Sequence, residues 1–252
     1  MPERWMRAAA LLAGLVAAML AAPALAGQVN VAVAANFTAP ATDIAAAFEK
    51  ATGDKAVLSF GSSGQFFAQI SNGAPFQVFL SADAERPAKA EQMGLTVAGT
   101  RFTYAVGKLV LWSRNPGLVD PAGAVLAKGS FAKLAIADPT AAPYGLAAVQ
   151  TLKTLGLYDR LQPKIVQGAS ITQALQFVDT GAAELGFVAL SQVVEQKAGS
   201  RWLVPEADHA PIVQQAVLLK VGADNPAARA FLAFLKGPQA RAIIETYGYA
   251  TH

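Results

Sequence analysis

From residue 28 onward, short apolar runs rich in β-branched residues alternate with amphipathic stretches. Residues 28–34 (QVNVAVA) predict a strand, and residues 38–53 predict a helix that ends at Gly53. The next predicted elements are a strand at 55–60, a helix at 64–73, a strand at 76–82 and a helix at 84–94. Three strand–helix units in succession favour a parallel sheet with helices on both faces.

The pattern changes at residues 101–114, a long strand-like run with Gly107 in its middle. The elements predicted after it are strands at 133–138, 164–168, 184–190 and 201–205, and helices at 144–156 and 171–181. A second long apolar run, residues 211–221, precedes two helical stripes within 225–249. We expect the runs 101–114 and 211–221 to cross between two sheets as a double hinge.

These patterns predict an α/β chain folded into two lobes, with mostly parallel sheets flanked by helices and two hinge strands. Lobe 1 is predicted to contain residues 27–107 plus 222–252, and lobe 2 residues 108–221. In open α/β sheets, ligands bind beside the carboxyl ends of the strands, and clefts between domains are common ligand sites. We therefore predict a ligand site in the cleft between the lobes.

The first 26 residues have the pattern of a secretory signal peptide. Arg4 and Arg7 precede a short apolar stretch that ends in the tripeptide ALA. Pro23 interrupts this stretch and no charged stop-transfer pattern follows, which disfavours a permanent membrane anchor. The chain contains no cysteine, which excludes an acylated lipoprotein and disulfide bonds. We expect cleavage near Ala26/Gly27 and a soluble protein in a bacterial periplasm.

The charge balance argues against nucleic acid as a partner. The chain has 20 Lys and Arg against 17 Asp and Glu, a formal charge of +3 that falls to +2 when residues 1–26, with two Arg and one Glu, are removed. Lys and Arg are scattered singly and form no basic stripe. The sequence also lacks a paired-histidine motif, an acidic calcium loop, a P-loop and a dinucleotide-binding glycine motif, so neither a metal nor a cofactor is predicted.

Four predicted strand-to-helix junctions can face the cleft. Their residues are 35–38 (ANFT), 61–64 (GSSG), 138–145 (DPTAAPYG) and 168–171 (GASI). The segments 62–70, 142–153 and 170–177 that begin the last three helices contain no Asp or Glu. Because a helix start carries unpaired N–H groups and partial positive charge, an acid-free start is open to an external anion. One such junction indicates only an N-cap, whereas four together favour an anion site.

At the fourth junction, residues 170–173 (SITQ) fit a capping box, in which serine and glutamine satisfy each other's backbone donors. This pattern predicts a structural role for Ser170. It leaves the backbone N–H of Ile171 for a ligand.

A secreted serine hydrolase built on Ser62 or Ser63 is the alternative from a different class. The stretch GSSGQ is one residue short of the G-x-S-x-G nucleophile elbow. A serine nucleophile also needs a base, and the two histidines are His209, expected at the surface, and the terminal His252. No S-x-x-K segment supports a Ser–Lys mechanism. The sequence therefore favours a protein that is not an enzyme.

Several stretches, in this order and at this spacing, resemble the periplasmic molybdate-binding proteins of ABC transporters. They are 31–40 (VAVAANFTAP), 59–75 (SFGSSGQFFAQISNGAP), 78–83 (VFLSAD), 107–112 (GKLVLW), 137–145 (ADPTAAPYG), 184–188 (ELGFV), 234–244 (FLKGPQARAII) and 247–249 (YGY). The resemblance implies a two-lobe periplasmic-binding-protein fold, type II-like, that closes on molybdate or tungstate. Such a protein delivers its oxyanion to a membrane ABC permease with its ATPase. We expect a monomer without a cofactor.

The same resemblance implies which residues hold the anion. They are Ala35, Asn36, Ser62, Ser63, Tyr144 and Ile171, with Ser62 as a cap or secondary contact. Asn36 and Ser63 would supply side-chain donors, and Tyr144 and Ile171 backbone N–H groups. Many relatives carry a tyrosine where this chain has Ala189, so one hydroxyl donor is missing. The hydroxyl of Tyr144 either replaces it or reshapes the cavity.

A site made only of hydroxyl, amide and N–H donors suits a dianion that has no proton to donate. It disfavours protonated phosphate, whose hydroxyl needs an acceptor. Another oxyanion such as sulfate remains the alternative within the binding class, because only its size separates it from molybdate.

Overall fold

The computed structural model describes residues 26–251, which form two lobes, each built on one five-stranded sheet. All but the last residue of the predicted signal peptide lies outside this range, and so does His252. Across residues 26–251, no helix is both long enough and apolar enough to cross a membrane.

The first part of the chain builds most of lobe 1, as the alternating apolar runs predict. Its elements are β1 Gln28–Ala34, α1 Thr38–Thr52, β2 Lys55–Gly61, α2 Ser63–Ser71, β3 Val78–Ser81, α3 Glu85–Gln92 and β4 Phe102–Gly107. Val31, Ala32 and Val33 are all fully buried, as expected for a strand with both faces covered. Helix α1 is followed by Gly53, whose φ of 78° lies in the left-handed region that favours glycine.

The middle of the chain builds lobe 2. Its elements are β5 Leu109–Ser113, α4 Val125–Lys128, β6 Leu134–Ala137, α5 Pro143–Thr154, α6 Tyr158–Leu161, β7 Ile165–Gly168, α7 Ile171–Asp179, β8 Leu185–Ala189, α8 Leu190–Val193 and β9 Ser200–Leu203. The chain then returns to lobe 1 with β10 Ile212–Leu218, α9 Pro226–Lys236 and α10 Pro238–Thr246. The short helices α4, α6 and α8 are absent from the sequence prediction, because one helical turn carries no readable periodicity.

Each sheet is mixed, but four of its five strands run in the same direction, which agrees with the prediction of mostly parallel sheets. Lobe 1 has the order β2-β1-β3-β10-β4, and β10 runs antiparallel to both of its neighbours. Lobe 2 has the order β7-β6-β8-β5-β9, and β5 is antiparallel to both of its neighbours. Strands β5 and β10 enter their sheets from the cleft side, where β8 and β3 end, and therefore run in the opposite direction.

The chain crosses between the lobes twice. The first crossing is at Lys108, between β4 and β5, so the run 101–114 crosses as predicted. The second lies within residues 204–211, because β10 is wholly part of the lobe 1 sheet. Residues 212–218 therefore pack with lobe 1, which corrects the predicted lobe 2 range of 108–221. Alternating apolar residues identify a strand but not the sheet that it joins.

Buried apolar side chains form separate clusters in the two lobes. Two clusters lie on opposite faces of the lobe 1 sheet, around Val31 on one face and Phe79 on the other. The lobe 2 cluster also takes in Ala34, Ala35 and Ala82 at the edge of lobe 1. The lobes therefore touch through these small side chains and through Ile212 of β10.

Candidate functional site

A small cavity lies in the cleft between the lobes. It is lined by Ala34, Ala35, Asn36, Ser62, Ser63, Ala82, Ala142, Pro143, Tyr144 and Ile171, none of which is charged. All six predicted ligand-binding residues are in this set. The cavity volume is about 10 Å³, whereas organic ligands of drug size occupy sites of roughly 300–1,000 Å³. The cavity is therefore far too small for an organic ligand of that size.

Four helix starts converge on the cavity. They are the 3₁₀ turn Ala35–Phe37 that leads into α1, and the starts of α2, α5 and α7. None of them has an acidic residue in its first turn. Each start directs partial positive charge and unpaired N–H groups at the same point, with no side-chain anion to neutralise them. This arrangement matches the prediction from the acid-free junctions.

The two serines of the GSSG stretch have different partners. Ser63 is 1% exposed, and its Oγ accepts the backbone N–H of Ala82 at 2.9 Å. Its own proton has no acceptor within residues 26–251, so this proton is available to a ligand. Ser62 caps α2: its Oγ accepts the N–H of Gln65, and the Gln65 side chain accepts the N–H of Ser62, both at 3.4 Å.

Lobe 2 presents backbone groups to the cavity. The N–H groups of Tyr144 and Ile171 lie in the first turns of α5 and α7, and neither has an acceptor within residues 26–251. Ser170 caps α7 by accepting the N–H of Gln173 at 3.3 Å. The Gln173 side chain accepts the N–H of Ala169 at 2.6 Å, one residue earlier than the predicted capping box requires. Ser170 is thus structural, as predicted.

The hydroxyl of Tyr144 lies in the hinge. Nε2 of Gln214 donates to it at 3.3 Å, and a Cβ atom on Gly107 would lie 2.0 Å from it. Neither residue lines the cavity. Gly107 is therefore required for the ring of Tyr144 to fit. Burial raises the pKa of Tyr144 well above its ordinary value, so the hydroxyl stays protonated.

The side chain of Asn36 is directed into the protein. Its Nδ2 donates to Oε1 of Gln214 at 2.8 Å and to the hydroxyl of Tyr249 at 2.9 Å. Neither acceptor lines the cavity. An N–H of this amide would face the cavity only after the amide group turns about its last bond, so the predicted role of Asn36 as a side-chain donor stays a prediction.

A buried, uncharged network lies behind the cavity and joins the lobes. Its members are Asn36, Ser81, Tyr104, Tyr144, Ser191, Gln214 and Tyr249. Burial raises the pKa of Tyr104 and also that of Tyr249, the latter to about 12. The sequence analysis missed this network. One signal was present, since Gln214 and Gln215 interrupt an otherwise apolar strand with polar side chains.

Two hydrogen bonds close the mouth of the cleft. The N–H of Gly64 in lobe 1 donates to the carbonyl of Ala141 in lobe 2 at 2.8 Å. Arg86 of lobe 1, paired with Asp83, donates from Nη2 to the carbonyl of Thr140 at 2.7 Å. A Cβ atom on Gly64 would lie 2.9 Å from Cα of Ala141, so this approach requires glycine.

The arrangement does not support a serine nucleophile. Within residues 26–251, the hydroxyls of Ser62 and Ser63 contact only backbone N–H groups, and neither contacts a histidine, lysine or carboxylate. His209 is 9% exposed rather than at the surface as expected, and its Nδ1 lies 2.8 Å from the carbonyl of Ala210. No group of three or more His, Asp or Glu in residues 26–251 is arranged to hold a metal ion.

Comparison with known proteins gives consistent results. The bacterial extracellular solute-binding protein family matches residues 29–250. The chain is 59% identical to the molybdate-binding protein ModA of Azotobacter vinelandii, over 95% of this chain and 96% of that protein. It is 56% identical to the protein of the same name from Rhodobacter capsulatus, over 92% of each chain.

A solved structure has the same fold. The periplasmic molybdate-binding protein of Azotobacter vinelandii superposes with a TM-score of 0.86 at 48% identity, over 89% of this chain and 99% of that one. Two mixed sheets, a cleft between two lobes and this degree of identity lead to one conclusion. The chain belongs to the family of bacterial extracellular solute-binding proteins.

Proposed function

We propose that this protein captures molybdate or tungstate in the cleft between its lobes and delivers the oxyanion to an ABC permease with its ATPase. The observation that carries the proposal is the convergence of four acid-free helix starts on a small uncharged cavity. The molybdate-binding relatives, similar over nearly their whole length, support the choice of anion.

The donors proposed for the anion carry no formal charge. They are the hydroxyl of Ser63, the amide of Asn36 and the backbone N–H groups of Ala35, Asn36, Tyr144 and Ile171, with Ser62 holding the start of α2. Hydrogen bonds from neutral donors to a charged acceptor are each worth about 1.5–3 kcal/mol. Several such bonds in a closed cavity can replace the water shell of a dianion without a buried Lys or Arg.

A donor-only cavity selects against protonated anions. Once the Asn36 amide turns its N–H to the anion, hydrogen phosphate would bring its hydroxyl to a wall of donors, and an unpaired buried donor is costly. Sulfate has no such proton and is excluded only by a poorer fit in size. The proposal therefore predicts a steep preference over phosphate and a separate preference over sulfate.

Isothermal titration calorimetry tests the proposal. The protein, freed of any bound anion by unfolding and refolding, should bind molybdate and tungstate tightly, sulfate weakly and phosphate not at all. Sulfate affinity equal to that of molybdate would contradict the choice of anion. Labelling by a fluorophosphonate that is lost in Ser63→Ala would instead favour the hydrolase alternative.

The proposal includes a periplasmic location after cleavage near Ala26/Gly27, without a lipid anchor, and a monomeric state. Cell fractionation followed by intact mass measurement should give a periplasmic chain that begins near Gly27. Light scattering with and without molybdate should give the mass of one chain. A membrane-bound form or a stable dimer would contradict these two parts of the proposal while leaving the anion site untouched.

A further inference from the structure

The amide groups of Asn36 and Gln214 form a pair whose direction decides what Asn36 presents to the cavity. In the structure, Nδ2 of Asn36 donates to Oε1 of Gln214 at 2.8 Å. The Asn36 Oδ1 atom has no partner in the network. If both amides turn by 180°, Nε2 of Gln214 donates to Oδ1 of Asn36, and the Nδ2 group of Asn36 is released toward the cavity.

The Ser81 end of the network favours the reversed direction. The hydroxyl of Tyr104 lies 3.2 Å from the carbonyl oxygen of Ser81 and 3.1 Å from the Gln214 amide. A carbonyl oxygen can only accept a hydrogen bond. The contact between Tyr104 and Ser81 is therefore a hydrogen bond only if the Tyr104 hydroxyl donates its one proton to the Ser81 carbonyl. Gln214 must then donate to Tyr104 with Nε2, and the same Nε2 donates to Asn36. On the other side, the Tyr144 hydroxyl donates to Oε1 of Gln214.

The Tyr249 end favours the direction seen in the structure. The hydroxyl of Tyr249 lies 2.9 Å both from the Asn36 amide and from the Asn36 backbone carbonyl. With its proton on the carbonyl, its oxygen accepts from Nδ2 of Asn36. After reversal, Oδ1 of Asn36 would face the Tyr249 hydroxyl and would need its single proton. The backbone carbonyl of Asn36 would then lose this donor and keep only the hydrogen bond from the hydroxyl of Ser191.

The two ends of the network therefore oppose each other, and in either direction one atom of the Asn36 amide is left without a partner in the network. All the side chains involved are at most 7% exposed, so water does not replace a lost partner. A charge in the cavity decides between two such arrangements, because only one of them turns an N–H toward it. An anion selects the reversed direction by the strength of one charge-assisted hydrogen bond.

We propose that Gln214 and Tyr104 are positioning residues: they reverse together with Asn36 when an oxyanion enters, and they hold its Nδ2 group toward the anion. Neither residue lines the cavity. The proposal rests on the proposed oxyanion function and adds residues from the hinge strands β4 and β10 to it. The reversal also accounts for a cavity wall made of donors. Before it, the Asn36 side chain presents no N–H group to the anion.

Two substitutions that each remove one buried hydroxyl should act differently. Tyr104→Phe removes the hydroxyl oxygen that accepts from Nε2 of Gln214, and this hydrogen bond exists only in the reversed direction. Molybdate affinity should therefore fall about two- to twelvefold, which corresponds to the loss of one hydrogen bond. Tyr249→Phe removes an acceptor that Nδ2 of Asn36 needs only in the direction seen in the structure, so affinity should stay equal or rise. Tyr247→Phe, whose hydroxyl contacts Asp43 at 2.6 Å outside the network, is the matched control and should leave affinity unchanged.

Side-chain ¹H–¹⁵N spectra read the amide direction itself. The Asn36 NH₂ signals are identified by their loss in Asn36→Ser. Before molybdate is added they should show nuclear Overhauser contacts to Tyr249, and these contacts should vanish when molybdate binds. Persisting contacts in the molybdate-bound protein, or equal losses of affinity in Tyr104→Phe and Tyr249→Phe, would overturn the proposal. If the wild-type protein fails to bind molybdate, the proposed function itself is wrong, and the two failures are thus distinguishable.

Discussion

The two lobes face the same cavity with different chemistry. Lobe 1 brings side chains in addition to its proposed backbone donors, with the Ser63 hydroxyl facing the cavity and the Asn36 amide beside it. Lobe 2 contributes backbone donors, the N–H groups of Tyr144 and Ile171 at two helix starts. A backbone donor survives almost any substitution of its own residue, whereas a side-chain donor does not. Sensitivity to mutation should therefore be concentrated in lobe 1, although both lobes contribute to the site.

The largest effect is expected for Ser63→Ala. It removes a hydroxyl proposed to donate to the anion, and molybdate binding should weaken by about 1.5–3 kcal/mol, or roughly 10- to 150-fold, measured by calorimetry. Ser62→Ala is the matched control. Because Ser62 caps α2, this change should lower stability by about 0.5–2 kcal/mol and affect binding less. Unchanged binding in Ser63→Ala would remove Ser63 from the site.

A slightly smaller loss is expected for Gly64→Ala, which acts between the lobes. The added Cβ would lie 2.9 Å from Cα of Ala141, and overpacking of this kind costs about 1–3 kcal/mol. That cost falls only on the closed form, so affinity should drop roughly 5- to 150-fold. Gly64 lies within α2 without a positive φ, so the thermal midpoint of the anion-free protein should not fall.

The control for this change is Gly117→Ala, since the nearest atom to a Cβ there is 3.8 Å away. Small-angle scattering should show that molybdate compacts the wild type and Gly117→Ala but not Gly64→Ala. Normal compaction of Gly64→Ala would show that the approach of Gly64 to Ala141 is not needed for closure.

Arg86→Gln should have a moderate effect. It removes the 2.7 Å hydrogen bond from Nη2 to the Thr140 carbonyl and the ion pair with Asp83. For a partly exposed contact we expect about 0.5–1.5 kcal/mol, seen mainly as an about two- to twelvefold faster release of molybdate in stopped-flow experiments. Arg101→Gln breaks a comparable ion pair with Glu91 inside lobe 1 and should leave release unchanged. Equal effects of the two changes would argue against a contact between lobes that slows release.

The smallest effect is expected for Ile171→Val in lobe 2. The backbone N–H of residue 171 is retained, so molybdate affinity should change by less than about twofold, while one lost methylene group lowers stability by about 0.5–1.5 kcal/mol. A loss of affinity as large as that of Ser63→Ala would show that lobe 2 also binds through side chains, and would break the contrast between the lobes.

The local sequence pattern predicted most strands and helices, because apolar residues recur with the period of the element that they form. The strand Gln28–Ala34 and the end of α1 before Gly53 are as predicted. The acid-free helix starts could also be read directly, since the presence or absence of Asp and Glu near an N-cap is a property of sequence alone. The family resemblance then named the six residues, and all six line one cavity.

Pairing between distant strands could not be read in the same way. The apolar run 211–221 predicts a strand equally well for either lobe, and only its hydrogen bonds with β3 and β4 place it in lobe 1. The direction of β5 and β10 relative to their neighbours likewise depends on where the chain enters each sheet. Both are questions of topology, which a local period does not encode.

The sequence by itself determined which helix starts lack acids, which serine caps α7 and which residue types carry hydrogen-bond donors. These properties depend on near neighbours in the chain. Only the tertiary structure decided that the hydroxyl of Tyr144 lies in the hinge beside Gly107 and that the amide of Asn36 faces Gln214, 178 positions away. The physical reason is that a buried polar group takes the partner that packing brings within reach, and packing joins residues that the sequence keeps far apart.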